Sequence, residues 1–415
     1  MKMTALRAVL MSSALVAGLL AVVATPLIAA GAATVDNAPV TTLTMTSPTP
    51  YTPAAQNGGT DDYHCTLVDP HVTKNSFIVS SQFFPGTGPS SVEVHHAILF
   101  MVPPSLVATA EQANDGGKGW TCFGEPPVLG TGIGQFLSMP WLSAWAPGHG
   151  EDVMPLSTGT PLPKGSLIIM QVHYNLLLGD KPVSPKVQLH TVPASAHLRP
   201  TSIQPLVAVP NVPCASGVTG PLCDRTAELA NLDQRFGSYM GLFDQGMEMI
   251  CGENPANPPV GDSTSCTWHI GTAGYIVRAA PHMHLIGTSM KIELNPGTQQ
   301  AQTVLNVPDY NFHYQHATNL KKWIKVTPGE TVKVSCNYNP QLGQELPALR
   351  KVAPHFVTWG DGSSDEMCLG LIWQVPLDPH ASVNWAHPTG GFSLGSGSGR
   401  HNGAPRATTT PTTGA

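Results

Sequence analysis

Six side chains carry the chemistry this sequence offers most directly. His95 and His96 stand side by side, His173 sits inside an apolar run, His282 and His284 are spaced as His-x-His, and Met367 precedes another apolar run. Neutral imidazole is the commonest side-chain metal ligand. Three imidazoles suit copper, zinc or iron, whereas a thioether is soft and favours Cu(I) over zinc or magnesium. Two histidines with a methionine therefore select copper in a redox-active form. Each element also has an ordinary reading. Val94-His95-His96-Ala97 fits one core and one surface histidine, and Gln171-Val172-His173-Tyr174 fits a satisfied core histidine. Pro281-His282-Met283-His284 fits a solvated pair, and Met367 fits a filler of core gaps.

The chain must place these residues on suitable elements. Adjacent residues of a regular strand face opposite sides. His95 and His96 can share one ion only where the strand twists or bulges, or where the rings bind through different nitrogens. His-x-His puts both rings on one face of a strand, one pleat repeat apart. Strand-length runs, β-branched or aromatic and bounded by Gly or Pro, occupy residues 75–84, 92–102 and 167–177. The same texture returns at 272–280, 290–294, 331–338, 352–359 and 368–375. A helix fits only Arg225–Phe236. Charged residues make up 11% of the chain, against about 25% in typical soluble domains. With 41 glycines and 40 prolines, this argues for short strands and many loops. The expectation is an all-β chain of β-sandwiches. At 415 residues it is too long for one ordinary core. Two domains are expected, 61–197 and 198–380, divided within the proline-rich polar run 193–205. The histidine clusters fall one set per half, which suggests one metal site in each domain.

The flanks read differently. Lys2 and Arg7, an uncharged apolar stretch over residues 8–30 and the small residues Ala30-Gly31-Ala32 form an export signal, residues 1–32. The stretch exceeds the usual length, which leaves an uncleaved membrane anchor as the alternative. No second apolar run is long enough to span a bilayer. Residues 33–60, rich in Thr, Pro and Ala, read as a disordered linker, and 381–415 as a disordered tail. Eight cysteines without a C-x-x-C indicate disulfides rather than a thiolate metal site. A net charge of −6 gives no electrostatic reason to expect nucleic acid or an anionic membrane as partner. The texture suggests a bacterial protein, secreted or periplasmic.

In their order, the motifs resemble those of the copper type II ascorbate-dependent monooxygenases. That family includes peptidylglycine α-hydroxylating monooxygenase and dopamine β-monooxygenase. Asp62-Tyr63-His64-Cys65 is similar to the family's Asp-Thr-Tyr-x-Cys region. The His-His pair, the Gln-Val-His-Tyr strand, the His-x-His and Asp365-Glu366-Met367-Cys368 follow, so the resemblance spans residues 60–378. It implies two tandem jelly-roll-type sandwiches, each contributing one copper site, with an open cleft between the ions. The first copper, on His95, His96 and His173, would deliver an electron. The second, on His282, His284 and Met367, would meet O2 and take hydrogen from a small-molecule substrate. Ascorbate or another one-electron reductant would supply both electrons. R–H would become R–OH, and the other oxygen atom would leave as water. The resemblance also suggests the bridges Cys65–Cys122 and Cys336–Cys368, with Cys214–Cys223 and Cys251–Cys266 assigned to complete the set. Tyr63 and Gln171 become candidates to hydrogen-bond a ligating imidazole of the first site. His149, His269, His313, His316 and His355 stay unassigned.

Three departures bear on substrate. Peptide-amidating members grip the peptide carboxylate with an arginine two residues before the His-x-His. They also use an asparagine two residues and a tyrosine four residues after the methionine. Here these positions hold Ala280, Leu369 and Leu371. The expected substrate is therefore small and apolar or aromatic, not a glycine-extended peptide. Two other functions compete. An exported copper carrier would keep the same ligands without hydroxylating anything. A zinc hydrolase on the three-histidine site would need a general base that is not evident, and would leave Met367 without a role.

Overall fold

The computed structural model describes residues 38–381, except 56, 87–91, 125, 131, 238, together with the strand Trp385–Ala386. The expected signal 1–32 and most of the expected tail lie outside the described residues.

The chain is all-β, built from stacked sheets. In the first half, a five-stranded sheet runs in the order Trp120–Thr121, Asp61–Val68, Leu167–Asn175, Val94–Val102, Trp141–Trp145. A second sheet covers one of its faces, with Thr41–Thr46, Lys186–Pro193, Ser76–Phe84, Thr158–Leu162 and Arg199–Pro200 as its path. In the second half, a four-stranded sheet orders Ser202–Ala208, Cys368–Pro376, Gly274–His282, Thr318–Val326. Its partner orders Gln302–Val307, Gly287–Leu294, Thr331–Tyr338, Ser263–Ile270, Trp385–Ala386. The change of half is abrupt. Arg199 and Pro200 still pair with Thr158 and Gly159, and Ser202 already pairs with Gln374.

Side-chain alternation explains why the inner sheets meet. Along the central strand Leu167–Asn175, Ile168, Met170, Val172 and Tyr174 enter the core of the first sandwich. The intervening Ile169, Gln171, His173 and Asn175 point the opposite way, and all four are buried. A strand buried on both faces reads as a continuous apolar run. In the second half, Leu369, Leu371 and Trp373 alternate in the same manner toward a cavity between the inner sheets.

Several expectations need correction. Residues 33–60 are not wholly a linker. Thr41–Thr46 pairs with Lys186–Pro193 at the sheet edge and buries Met45. Tyr51 bridges Val183, and its hydroxyl donates to Asp62 Oδ2 at 2.7 Å. Threonine-rich composition masked the alternation of Leu43 and Met45 with β-branched neighbours, which suits an edge strand. The helix Arg225–Phe236 forms, with Asp224 accepting from the Ala227 N–H at 2.9 Å. It is not alone, because Met240–Ile250 is also helical. Of the run 352–359, only Val357–Thr358 is strand.

All eight cysteines are paired, as Cys65–Cys122, Cys214–Cys223, Cys251–Cys266 and Cys336–Cys368. The last joins the two sheets of the second half directly behind Met367.

Candidate metal centre

The first histidine set is assembled by register. His96 lies opposite His173 across the antiparallel pair, and a bulge between Val94 and His96 inserts His95. The bulge supplies what two adjacent histidines need, because it frees His95 from strict alternation. The three Nδ1 atoms form a near-equilateral triangle, with His95 to His173 at 3.2 Å, His95 to His96 at 3.2 Å and His96 to His173 at 3.3 Å. Its centre lies about 1.9 Å from each corner. An ion bonded at about 2.0–2.1 Å to each nitrogen would therefore sit just off the plane with one side open. The three residues are 3%, 8% and 0% exposed, so the triangle is buried.

Hydrogen bonds decide which nitrogen is free. His173 Nε2 lies 2.9 Å from Asp61 Oδ1. Asp61 Oδ1 also accepts from the N–H and the hydroxyl of Ser363, at 3.1 and 2.8 Å. Burial, the largest single effect, would raise the Asp61 carboxyl, but its bond to His173, the charge of His173 and the hydrogen bonds from Thr60 and Ser363 together bring it below its ordinary value. The carboxylate holds the His173 proton on Nε2 and turns the Nδ1 lone pair toward the triangle. Burial, then neighbouring histidines, push His95 and His96 far below the usual imidazole range. Both therefore stay neutral, as ligands must.

His282 ends the strand Gly274–His282, whereas His284 lies beyond it. The expected placement of both rings on one strand face is thus corrected: the rings stand perpendicular, with centroids 5.2 Å apart. Gln315 commits its amide nitrogen to the Phe312 carbonyl at 2.8 Å, so its Oε1 faces His282 Nδ1 at 2.6 Å. His284 Nδ1 donates to the Asp365 carbonyl at 3.1 Å. Both rings thus donate through Nδ1, which leaves Nε2 to accept a metal. His284 Nε2 is buried without a partner, an orphan that an ion would satisfy. Burial first, then nearby histidine charge, lowers His282 to about 3 and His284 to about 4.

Met367 lies just before the strand Cys368–Pro376, whose Leu369 pairs with His282. Glu366 fixes the turn by accepting the N–H groups of His284 and Ile286 at 2.8 Å and of Gly287 at 2.9 Å. Arg235, from the helix Arg225–Phe236, grips both oxygens of Asp365 at 3.0 and 2.7 Å. A Cβ at Gly360 would fall 2.6 Å from Asp365 Oδ2, so only glycine lets this turn close. Met367 is buried and lines the same cavity as His96 and His282.

The two sets touch. The His96 and His282 rings meet edge to face at 5.5 Å, and Phe312 stacks on His95 at 4.0 Å. Among the described residues, no open cleft of the kind the resemblance implies separates the two sets. Beside them lies a cavity of about 90 Å³ whose wall includes Ala280, Leu369, Leu371 and Trp373. Tyr63 and Gln171 take other parts than a hydrogen bond to a ligand ring. Tyr63 stacks on His173 at 4.1 Å and donates to the Asp361 carbonyl at 2.8 Å. The Gln171 amide donates to the carbonyls of Cys122 and Gly124, at 2.9 and 3.0 Å. The orienting partners are instead Asp61, Gln315 and the Asp365 carbonyl. Of the unassigned histidines, His149 and His316 stack on each other at 4.3 Å. Asp61 and Glu366 adjoin recognisable motifs and could have been suspected; Gln315 carries no sequence signal.

Two sets of imidazoles, buried except for the half-buried His282, meet at the seam of stacked β-sheets. Comparison with known proteins relates part of the chain to a family. Residues 262–377 match the family model "Copper type II ascorbate-dependent monooxygenase, C-terminal domain". That segment contains His282, His284 and Met367; the first set lies outside it. Tyramine beta-hydroxylase of Caenorhabditis briggsae is 27% identical over 115 residues, 27% of this chain and 18% of that protein. Dopamine beta-hydroxylase of Canis lupus familiaris is 30% identical over 95 residues, 23% of this chain and 14% of that protein. The matches thus cover under a fifth of the length of either relative. An allantoicase structure aligns at 11% identity over 73% of this chain and 87% of its own, with a TM-score of 0.17, too low to carry an argument. Residues 262–377 are thus similar to the C-terminal domain of the copper type II ascorbate-dependent monooxygenases.

Proposed function

We propose that the protein is a copper monooxygenase that hydroxylates a C–H bond of a small apolar or aromatic molecule, using O2 and an ascorbate-type reductant. His95, His96 and His173 hold one copper, and His282, His284 and Met367 hold the second. The observation that carries this reading is the Nδ1 triangle with sides of 3.2–3.3 Å, in contact with a second set inside the matched family segment. Domains 61–197 and 198–380 each supply one set.

Copper bound at the two sets supplies two one-electron transfers and activates O2, so that R–H, O2, two electrons and two protons give R–OH and water. The chain's own residues do the rest. Asp61, Gln315 and the Asp365 carbonyl fix the rings so that neutral nitrogens face the ions. Met367 offers a soft donor that favours the reduced metal. Ala280, Leu369 and Leu371 give the cavity an apolar wall where a peptide carboxylate would need polar partners. Four disulfides fit an oxidising compartment, in keeping with an exported, secreted or periplasmic bacterial protein.

The test is the metal content of the purified protein, followed by O2 uptake with ascorbate. Two coppers per chain and O2 consumption stimulated by apolar or aromatic compounds are expected. Two coppers without coupled O2 consumption across a broad apolar panel would make the protein a copper carrier. One metal, or zinc, would overturn at least one of the ligand sets.

A further inference from the structure

A second cavity, of about 620 Å³, opens at the seam between the halves. Phe123 and Ile133 line it from the first half, and Phe236, Tyr239, Leu242 and Phe243 from the helical region of the second. It shares no lining residue with the cavity beside the histidine sets. Its mouth is open, since Leu242 is 70% exposed and Tyr239 is 39% exposed. None of the described residues on its wall is charged, and Thr121 and Tyr239 bring its side-chain hydroxyls. An aromatic lining with few polar groups, at this volume, is typical of a small-molecule site.

One wall of this cavity reaches the first histidine set through rings. Phe123 packs against Phe236 at 5.0 Å and against Tyr63 at 5.6 Å. Tyr63 is buried and stacks on His173 at 4.1 Å, with the ring planes 13° apart. A single ring therefore stands between the cavity wall and a residue of the first set. His95, His96 and His173 are all buried, so an electron from an outside donor has to cross protein to reach them. A file of contacting π systems gives it a short way. The file continues past His173, because His96 lies 4.7 Å from that ring and meets His282 of the second set at 5.5 Å.

We propose that this second cavity binds the reductant, and that the reductant is an uncharged alkylated hydroquinone. The ring and its alkyl groups match the aromatic wall, and two hydroxyls suit a lining with few polar groups. An anion such as ascorbate finds no positive group there. Oxidation to the quinone breaks both O–H bonds. Two electrons pass along Phe123, Tyr63 and His173 and reduce one Cu(II) to Cu(I) at each set, and two protons leave to water at the open mouth. One molecule thus supplies the two electrons that one turnover consumes. The inference rests on the copper monooxygenase reading and names the electron donor for it.

The test is anaerobic reduction of the copper-loaded protein by trimethylhydroquinone and, separately, by ascorbate, followed as loss of the Cu(II) EPR signal. The hydroquinone rate is expected to saturate with concentration, and the ascorbate rate to rise linearly. The isomer 2-methylresorcinol, whose meta hydroxyls cannot form a quinone, should compete with the hydroquinone and leave ascorbate unaffected. Leu242→Glu changes an exposed side chain at the mouth and should leave the melting temperature and copper content unchanged. It should raise the half-saturating hydroquinone concentration about fivefold or more. A linear hydroquinone rate, a half-saturation indifferent to Leu242→Glu, or equal slowing of both donors by 2-methylresorcinol would each overturn the proposal. So would a dimer that Leu242→Glu disperses, since the cavity would then be an interface between copies of the chain. A protein that binds no copper would sink the monooxygenase reading instead. Calorimetry of 2-methylresorcinol with the metal-free protein still decides the site in that case: binding weakened by Leu242→Glu supports it, and no binding removes it.

Discussion

At the scale of single residues, the centre is defined by which nitrogen each histidine leaves free. His173 gives Nε2 to Asp61 and keeps Nδ1, whereas His282 and His284 give Nδ1 to Gln315 and the Asp365 carbonyl and keep Nε2. Met367 is the donor whose role is hardest to separate from packing, since it is 8% exposed in a dense core. Truncation to alanine would cost about 2–5 kcal/mol in lost packing and confuse the two roles. Met367→Leu conserves volume and should cost under about 1.5 kcal/mol. It removes the thioether alone. The expected result is tenfold or greater loss of Cu(I) affinity at one site, full retention at the other, and a nearly unchanged melting temperature. Cu(I) titration with a chromophoric chelator checks this. Unchanged affinity at both sites would make Met367 a packing residue only.

At the scale of elements, the turn before the strand Cys368–Pro376 joins the two sets. Ser363 donates to Asp61, which orients His173; the Asp365 carbonyl orients His284; Glu366 holds the backbone from His284 to Gly287. A change in this turn should therefore be felt at the first set, which it does not touch directly. Ser363→Ala removes one donor from Asp61, so the carboxylate pulls harder on the His173 proton and the ring becomes a stronger donor. That favours the oxidised metal. The reduction potential of the first copper should fall by roughly 20–60 mV, the equivalent of one hydrogen bond. Potentiometry followed by copper EPR reads it, and a first-site potential that does not move would sever the link. This network explains what sequence could and could not disclose. Alternation and turn residues announce the strands, and of the two long helices Arg225–Phe236 is legible in the sequence while Met240–Ile250 is not. The need for a bulge at His95 was also legible, because adjacent histidines cannot otherwise converge. The strand Thr41–Thr46 hid behind a linker-like composition. The Ser363–Asp61 bond spans 302 positions of chain and leaves no local trace. Gln315 lies in the connection before the strand Thr318–Val326, where no periodicity marks a side chain as inward-facing.

At the scale of the whole molecule, side-chain contacts tie the two halves together at two places along the cavity. One holds Tyr63 on the Asp361 carbonyl and Asn175 on the Ser363 hydroxyl, at 2.8 and 3.2 Å. The other holds Arg278, which is 2% exposed, against Asp152, with its guanidinium over the Trp373 ring at 4.8 Å. Asn319 adds a bond to the Val153 carbonyl at 3.1 Å. A cation so deeply buried is tolerated only with its anion. Asp152→Ala should therefore destabilise by roughly 3–5 kcal/mol, since it strands the Arg278 charge at the seam. Combining it with Arg278→Met should recover most of that loss, because the methionine fills the space beside Trp373 without a charge to solvate. Urea unfolding followed by tryptophan fluorescence measures both, provided each protein shows one cooperative transition. If the pair ties the halves into one unit, the single variant lowers the midpoint strongly and the double variant restores it. If Asp152→Ala costs less than about 1 kcal/mol, Arg278 finds water on opening and the pair behaves as a surface contact. The seam would then be held by its other contacts, those of Asp61 and Asp361 among them, and the cavity mouth near Asp152 would be free to open.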